Sequence, residues 1–175
     1  MKETEIKIEL AEDDISLLLR KYNWREWSDL SFEKTYGFFK PDGNSNVFPR
    51  IKVIDSEITM GVKVKKGESK YFERNEIEMK IEDLQTGIDF FKALGFTDIV
   101  IFEKKRKKLL TDSVELCLDQ LPFGYFLEIE GEKKEIEKVL KKLAWNKKPR
   151  INDAYLVCAR KRGITSDVLF KDEKN

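Results

Sequence analysis

Apolar and charged residues alternate with a period of two along most of this chain. Thr4, Ile6, Ile8 and Leu10 alternate with Glu3, Glu5, Lys7 and Glu9, and Ile58, Met60, Val62 and Val64 oppose Thr59, Gly61, Lys63 and Lys65. Tyr125, Leu127 and Ile129 alternate with Phe126, Glu128 and Glu130. The same beat runs through residues 50–53, through Arg74, Glu76, Glu78 and Lys80, through Phe102, Lys104, Arg106 and Lys108, and through Val114, Leu116 and Leu118 against Glu115, Cys117 and Asp119. Such a period sends alternate side chains to opposite faces of a strand. With residues 32–39 as a further strand, the pattern predicts about eight strands, mostly antiparallel because their connections are short.

Three segments carry helical spacing instead. Residues 11–21 place Ile15, Leu18 and Leu19 on one face, and 84–94 place Leu84, Ile88, Phe91 and Leu94 there, with Gly95 as a stop. Residues 132–143 do the same with Ile136, Val139, Leu140 and Leu143. Each helix needs an apolar surface to cover, and the apolar strand faces supply it. Loops fall at 41–46 and 65–70, the tail after Gly163 reads as frayed, and nothing marks a repeat or a linker. The expectation is one α+β domain over residues 1–175.

If the helices cover the apolar sheet face, the charged face must go elsewhere. One wet face is usual for a single antiparallel sheet. So many strands behaving alike point instead to closure, for which about eight strands suffice. The predicted architecture is a closed eight-stranded, mostly antiparallel β-barrel with a charged interior and amphipathic helices packed outside. In an empty lumen of that kind Lys63, Lys104 and Arg106 are expected to repel one another.

Composition narrows the chemistry. Charged residues reach 38%, yet Lys+Arg 34 and Asp+Glu 33 leave a net charge of +1, which disfavours a general nucleic-acid surface. With no histidine there is no Ser-His-Asp triad, Cys-His pair or histidine base. Two cysteines are too few for a zinc cage. A metal must then be held mainly by carboxylates, which selects hard ions such as Mg²⁺ or Mn²⁺. No apolar run is long enough for a membrane span or a signal peptide, and the expected location is cytoplasmic. Balanced charges inside a lumen suit a polyphosphate carried with a divalent cation.

Several motifs carry a resemblance. Glu3-Thr4-Glu5-Ile6-Lys7 fits an E-x-E-x-K signature, residues 48–52 resemble a basic third strand, and 58–63 a Lys-bearing fourth. Arg74-x-Glu76-x-Glu78 resembles R-x-E-x-E, Lys104-x-Arg106 a K-x-R strand, and Leu118-Asp119 with 123–130 an L-D…L-G-x-F-x-E-I-E ending. In this order they resemble the CYTH superfamily, the triphosphate tunnel metalloenzymes. The resemblance implies a tunnel binding a triphosphate with Mg²⁺ or Mn²⁺. It implies Glu3, Glu5, Glu128 and Glu130 as metal ligands and Lys7, Arg50, Lys52, Lys63, Lys104 and Arg106 as phosphate-binding residues. Lys7, Glu76 and Glu78 are the implied catalytic residues. The chain departs from the pattern in its second strand, Tyr36-Gly-Phe-Phe without an acid, and in Pro49 and Lys52 of the third.

The implied activity is hydrolysis of tripolyphosphate, thiamine triphosphate or a nucleoside triphosphate. The alternatives are a class IV-type adenylyl cyclase, which makes cyclic AMP and pyrophosphate from ATP, and a non-catalytic polyphosphate-binding module. A homodimer is left open. Among single residues, Lys105 and Lys107 fall on the solvent side by parity, Arg74 is a candidate ion-pair partner for Glu76 or Glu78, and Cys117 reads as filler. Asp119 reads equally as a supporting acid or a turn residue.

Overall fold

The computed structural model describes residues 2–43, 46–65 and 72–171. The side chains of Lys2, Glu3, Trp24, Lys65 and residues 72–74 lie outside that description. Eight strands form: β1 (Lys2–Leu10), β2 (Ser31–Phe39), β3 (Val47–Ile54), β4 (Glu57–Lys65), β5 (Phe72–Ile81), β6 (Asp98–Leu110), β7 (Val114–Leu121) and β8 (Gly124–Gly131). Four helices join them: α1 (Glu12–Lys21), α2 (Leu84–Ala93), α3 (Lys133–Lys142) and α4 (Tyr155–Lys161). Every strand pairing is antiparallel. The sheet curls in the order β1-β5-β4-β3-β2-β6-β7-β8, and β8 pairs back onto β1, closing the barrel. Its shortest seam is β1–β5, paired from Lys2↔Asn75 to Glu5↔Phe72.

The outer faces are apolar, as the period-two pattern requires, and the helices cover two sectors of them. Ile6 and Ile8 of β1, Leu116 of β7 and Leu127 and Ile129 of β8 are buried with Leu18 of α1 and Ile136, Leu140 and Leu143 in and just after α3. On the other side Phe38 and Ile51 pack against Phe91 of α2. That helix starts on Asp83, whose carboxylate accepts from the Thr86 N–H at 2.6 Å, and stops at Gly95, φ 86°. Its Gly87 faces the sheet so closely that a Cβ there would lie 2.6 Å from Ile81 Cδ1 and 2.8 Å from Ile51 Cδ1.

Two features of the C-terminal part differ from the sequence expectation. After α3 the chain forms a fourth helix, whose Tyr155, Leu156 and Ala159 pack with Phe102, Leu121 and Phe126. Phe102 and Phe126 share the inward parity of Lys104 and Glu128, so α4 and these rings form an aromatic stopper at one end of the lumen. The tail after Gly163 is also docked, as far as Phe170, rather than frayed. Val168 N–H donates to Ile101 O at 2.8 Å and Glu103 N–H to Val168 O at 2.9 Å. The reason lies in β6, which pairs with β7 only from Lys105 onward. Its edge at 101–103 would otherwise present unpaired backbone groups, and the tail satisfies them.

A charge-lined lumen as the candidate site

The inward-facing positions of the strands surround a cavity of about 290 Å³. Arg50, Lys52, Lys63, Lys104 and Arg106 line it with Glu5, Glu76, Glu78, Glu128 and Glu130, so alternation brings ten of the twelve sequence-derived candidates together. Glu3 lies in β1 at a position of the same parity as Glu5, and its side chain is outside the described residues. Lys7 lies beneath the cavity, at the stopper. Its Nζ donates to Asp153 O at 3.0 Å, stands 3.3 Å from Glu128 Oε1, and sits 4.1 Å from the centre of the Tyr155 ring.

One wall is built by β3, β4 and β5. Arg50 is paired in register with Gly61, and Gly61 with Glu78. Because Gly61 has no side chain, the Arg50 guanidinium reaches over β4 to Glu78 Oε1 at 2.8 Å, and it also bonds Glu76. Lys63 pairs with its register partner Glu76 at 2.9 Å, and Lys52 with Glu78 at 2.7 Å. A Cβ on residue 61 would fall 2.3 Å from Ile77 O and 2.8 Å from Glu78 Cγ. Gly61→Ala is therefore expected to cost about 1–3 kcal/mol by crowding this wall. Denaturant titration checks it, and a variant as stable as the wild type would contradict the packing described.

The facing wall is built by β6, β7 and β8. Arg106 Nε donates to Asp119 Oδ1 at 2.5 Å, while its Nη2 bonds both Asp119 Oδ2 and Glu128 Oε2. Asp119 is 0% exposed. It also accepts from the Tyr155 hydroxyl at 2.7 Å, which ties α4 to this wall. Lys104 lies 3.1 Å from Glu33 and 3.7 Å from Asp119. At the end away from α4, Lys108 pairs with Glu115 at 3.1 Å.

Each lumen cation thus meets at least one carboxylate, which corrects the expectation that Lys63, Lys104 and Arg106 repel one another. The acids needed for this were only partly legible in the sequence. Glu33 shares inward parity with Thr35 on β2, but its strand carried no motif. Asp119, read equally as supporting acid or turn residue, proves to be the buried partner of Arg106. Tyr155 reaches the lumen only because α4 folds over the barrel end. The alternative partner suggested for Glu76 and Glu78, Arg74, has its side chain outside the described residues, and Arg50 takes that place.

The paired charges set the proton affinities. Burial pushes the Glu128 carboxyl up, but Arg106, Lys7, Lys104 and Lys63 outweigh it and hold the group well below the ordinary carboxylate value of 4.5. Burial likewise opposes, and Lys104 and Arg106 outweigh it, at Glu33, whose carboxyl is lowered. Lys52 is lowered by burial and by the neighbouring Arg50. Burial pushes the Cys117 thiol up, which leaves it protonated at neutral pH and a poor nucleophile. Because the folded state binds protons at Glu33 and Glu128 more weakly than the unfolded chain, their stabilisation is complete above 4.5 and is lost as pH falls through the lowered values. Unfolding free energy is expected to drop below pH 4.5 and to drop less steeply in Glu128→Gln. Denaturant titrations across that window measure it, and parallel curves for the two proteins would contradict it.

A hard cation would find two carboxylates on neighbouring strands, Glu5 and its register partner Glu130, both lining the cavity. Mg²⁺ keeps waters and substrate oxygens in its shell and is bound by one or two protein carboxylates, so this pair fits it. No group of three acidic or cysteine side chains converges into a closed metal cage among the described residues. Glu128 bonds Arg106 and Lys7.

An antiparallel barrel with helices outside and ion-paired side chains inside defines the class of fold. The chain belongs to the CYTH family, whose domain model matches residues 1–155. A Methanocaldococcus jannaschii protein named “Putative adenylate cyclase” is 34% identical over 94 residues, 47% of this chain and 54% of that protein, so the chain spans about half the length of the curated relative it matches. A Pyrococcus horikoshii OT3 protein superposes with a TM-score of 0.75 at 23% identity, covering 91% of this chain and 99% of that one. A Hippeastrum protein described as “Putative adenylyl cyclase” with a dominant triphosphatase activity superposes with a TM-score of 0.64 at 15% identity, covering 96% and 97%. At these identities the two structures show the shared fold. CYTH family members are triphosphate-processing enzymes that depend on a metal. No described helix is long and apolar enough to cross a membrane.

Proposed function

We propose that this protein is a divalent-metal-dependent enzyme that hydrolyses a triphosphate inside the barrel. The observation that carries the reading is the convergence of Arg50, Lys52, Lys63, Lys104 and Arg106, from β3, β4 and β6, on one cavity that also holds the Glu5–Glu130 pair. Arg50, Lys52 and Lys63 grip phosphate oxygens from one wall, and Lys104 and Arg106 from the other. Glu5 and Glu130, with Glu3 from the same strand, would hold Mg²⁺ or Mn²⁺, which would supply Lewis-acid neutralisation of the phosphate charge. Because the lumen cations already have carboxylate partners, a bare polyanion must break ion pairs to enter. A metal-bound triphosphate carries less charge and displaces fewer of them.

Glu78 faces Lys52 and Arg50, and these cations, working against burial, lower its carboxyl. It is therefore a weak base, suited to orienting the attacking water rather than keeping its proton, which passes to solvent. Glu76, fixed by Arg50 and Lys63, positions those cations. Lys7, bound to Glu128 and Asp153 O below the cavity, fixes Glu128, which in turn holds Arg106. The substrate is a small triphosphate: tripolyphosphate, thiamine triphosphate or a nucleoside triphosphate.

The second reading is ATP cyclisation, favoured by the name of the 34% identical M. jannaschii relative. The two chemistries share the phosphate grip and differ in which phosphorus meets the nucleophile. Incubation with tripolyphosphate and with ATP under Mg²⁺ and Mn²⁺, resolving phosphate, pyrophosphate and cyclic AMP, separates them. Metal-dependent phosphate release supports the hydrolase, and cyclic AMP with pyrophosphate supports the cyclase. Binding without any product would overturn both in favour of a polyphosphate-binding module.

A further inference from the structure

Lys105 and Lys107 do point away from the lumen, yet both are half-buried rather than exposed. They stand beside a second cavity of about 290 Å³ on the outside of the barrel. The rest of its lining is mainly apolar, from Leu19 of α1, Leu30 before β2, Leu118 of β7 and the Tyr125 ring of β8, with the Gln120 amide and the Tyr125 hydroxyl as further polar groups. Leu30 is 55% exposed, an unusual position for a large apolar side chain beside a cavity.

The charges here contrast with those inside. Every described lumen cation meets a carboxylate, as shown above. For Lys105 the structure records instead the Phe170 ring, 4.9 Å from its amine, and no carboxylate partner for either Lys105 or Lys107 appears among the described residues. Residues two apart on a strand share a face about 7 Å apart, so the two flexible amines can converge on one anionic head. Apolar walls with a few convergent polar groups are the usual make-up of a small-ligand pocket, and this cavity is near the lower end of their size range.

We propose that this outer cavity binds a small amphiphilic anion, a medium-chain carboxylate in chemical class. Its apolar tail lies on Leu19, Leu30, Leu118 and Tyr125, and its head lies between the amines of Lys105 and Lys107. The two-sided register places the site behind the lumen wall. Lys105 and Lys107 flank Arg106, and Gln120 and Leu118 flank its partner Asp119, so one sheet thickness separates the two sites. The site is independent of what the lumen does, because its residues face the opposite side of β6 and β7.

Methyl-resolved NMR titration tests it, with sodium octanoate kept below its micelle-forming concentration and 1-octanol as the neutral match. Saturable shifts at Leu118 and Leu30 are expected, with octanoate binding about tenfold more tightly than octanol because its head makes charge-assisted contacts. Lys105→Gln/Lys107→Gln should bring octanoate down to the level of octanol, and Leu30→Asp should weaken both. Spectra of the unliganded variants matching the wild type confirm that the fold is kept. No saturable binding, equal affinity for the two probes, an unchanged octanoate affinity in the lysine variant, or shifts centred on Ile54, which lines the lumen, would each overturn the proposal.

Discussion

Arg106→Ala is expected to lower the melting temperature by about 6–20 °C in the absence of any ligand. The change leaves Asp119 fully buried and Glu128 nearly so, both facing a space from which their main cation has gone. Removing one partner of a buried pair costs about 3–5 kcal/mol, and each kcal/mol moves the midpoint of a chain this size by about 2–4 °C. A lumen of mutually repelling cations would give the opposite result, because deleting one would relieve repulsion. Adding Asp119→Asn to Arg106→Ala should recover part of the loss, since it removes the charge left without its partner. Calorimetry on the four proteins of this cycle reads both effects. An Arg106→Ala midpoint at or above that of the wild type would overturn the paired-lumen description.

Glu5→Gln is expected to lower metal-dependent triphosphate turnover about 100-fold or more while leaving the fold in place. Loss of a residue that merely orients a metal ligand already costs about 10–100-fold, and a direct carboxylate ligand should cost at least the upper end of that range. The amide keeps the volume of the side chain, so no cavity opens behind it. The contrast with Glu128→Gln separates the two acids. Glu128 faces Arg106 and Lys7, so its loss should depress stability as well as turnover, whereas Glu5→Gln should weaken Mn²⁺ binding directly. Mn²⁺ titration followed by paramagnetic resonance, alongside initial rates, measures both. Turnover within a few-fold of the wild type would remove Glu5 from the metal site.

The spacing of charged and apolar residues, two in the strands and helical elsewhere, by itself determined the strands, their inward and outward faces, and the three outer helices. These follow from side-chain direction along one strand or helix, which local sequence records. It thereby placed Glu5, Lys52, Lys63, Lys104 and Arg106 on a common inner surface, and the order of the motifs identified the family. Only the tertiary structure decided which of those charges meet. That Arg50 crosses Gly61 to reach Glu78 depends on the register of three strands, and that Arg106 is locked to Asp119 depends on the register of β6 against β7. The stopper was also beyond the sequence pattern: α4 and the tail are held by a barrel end and a strand edge formed from distant residues, with Tyr155 bonding Asp119 and Val168 bonding Ile101. Strand periodicity fixes the face a side chain takes, whereas register and closure are properties of several segments together, and it is these that turn a row of charges into ion pairs.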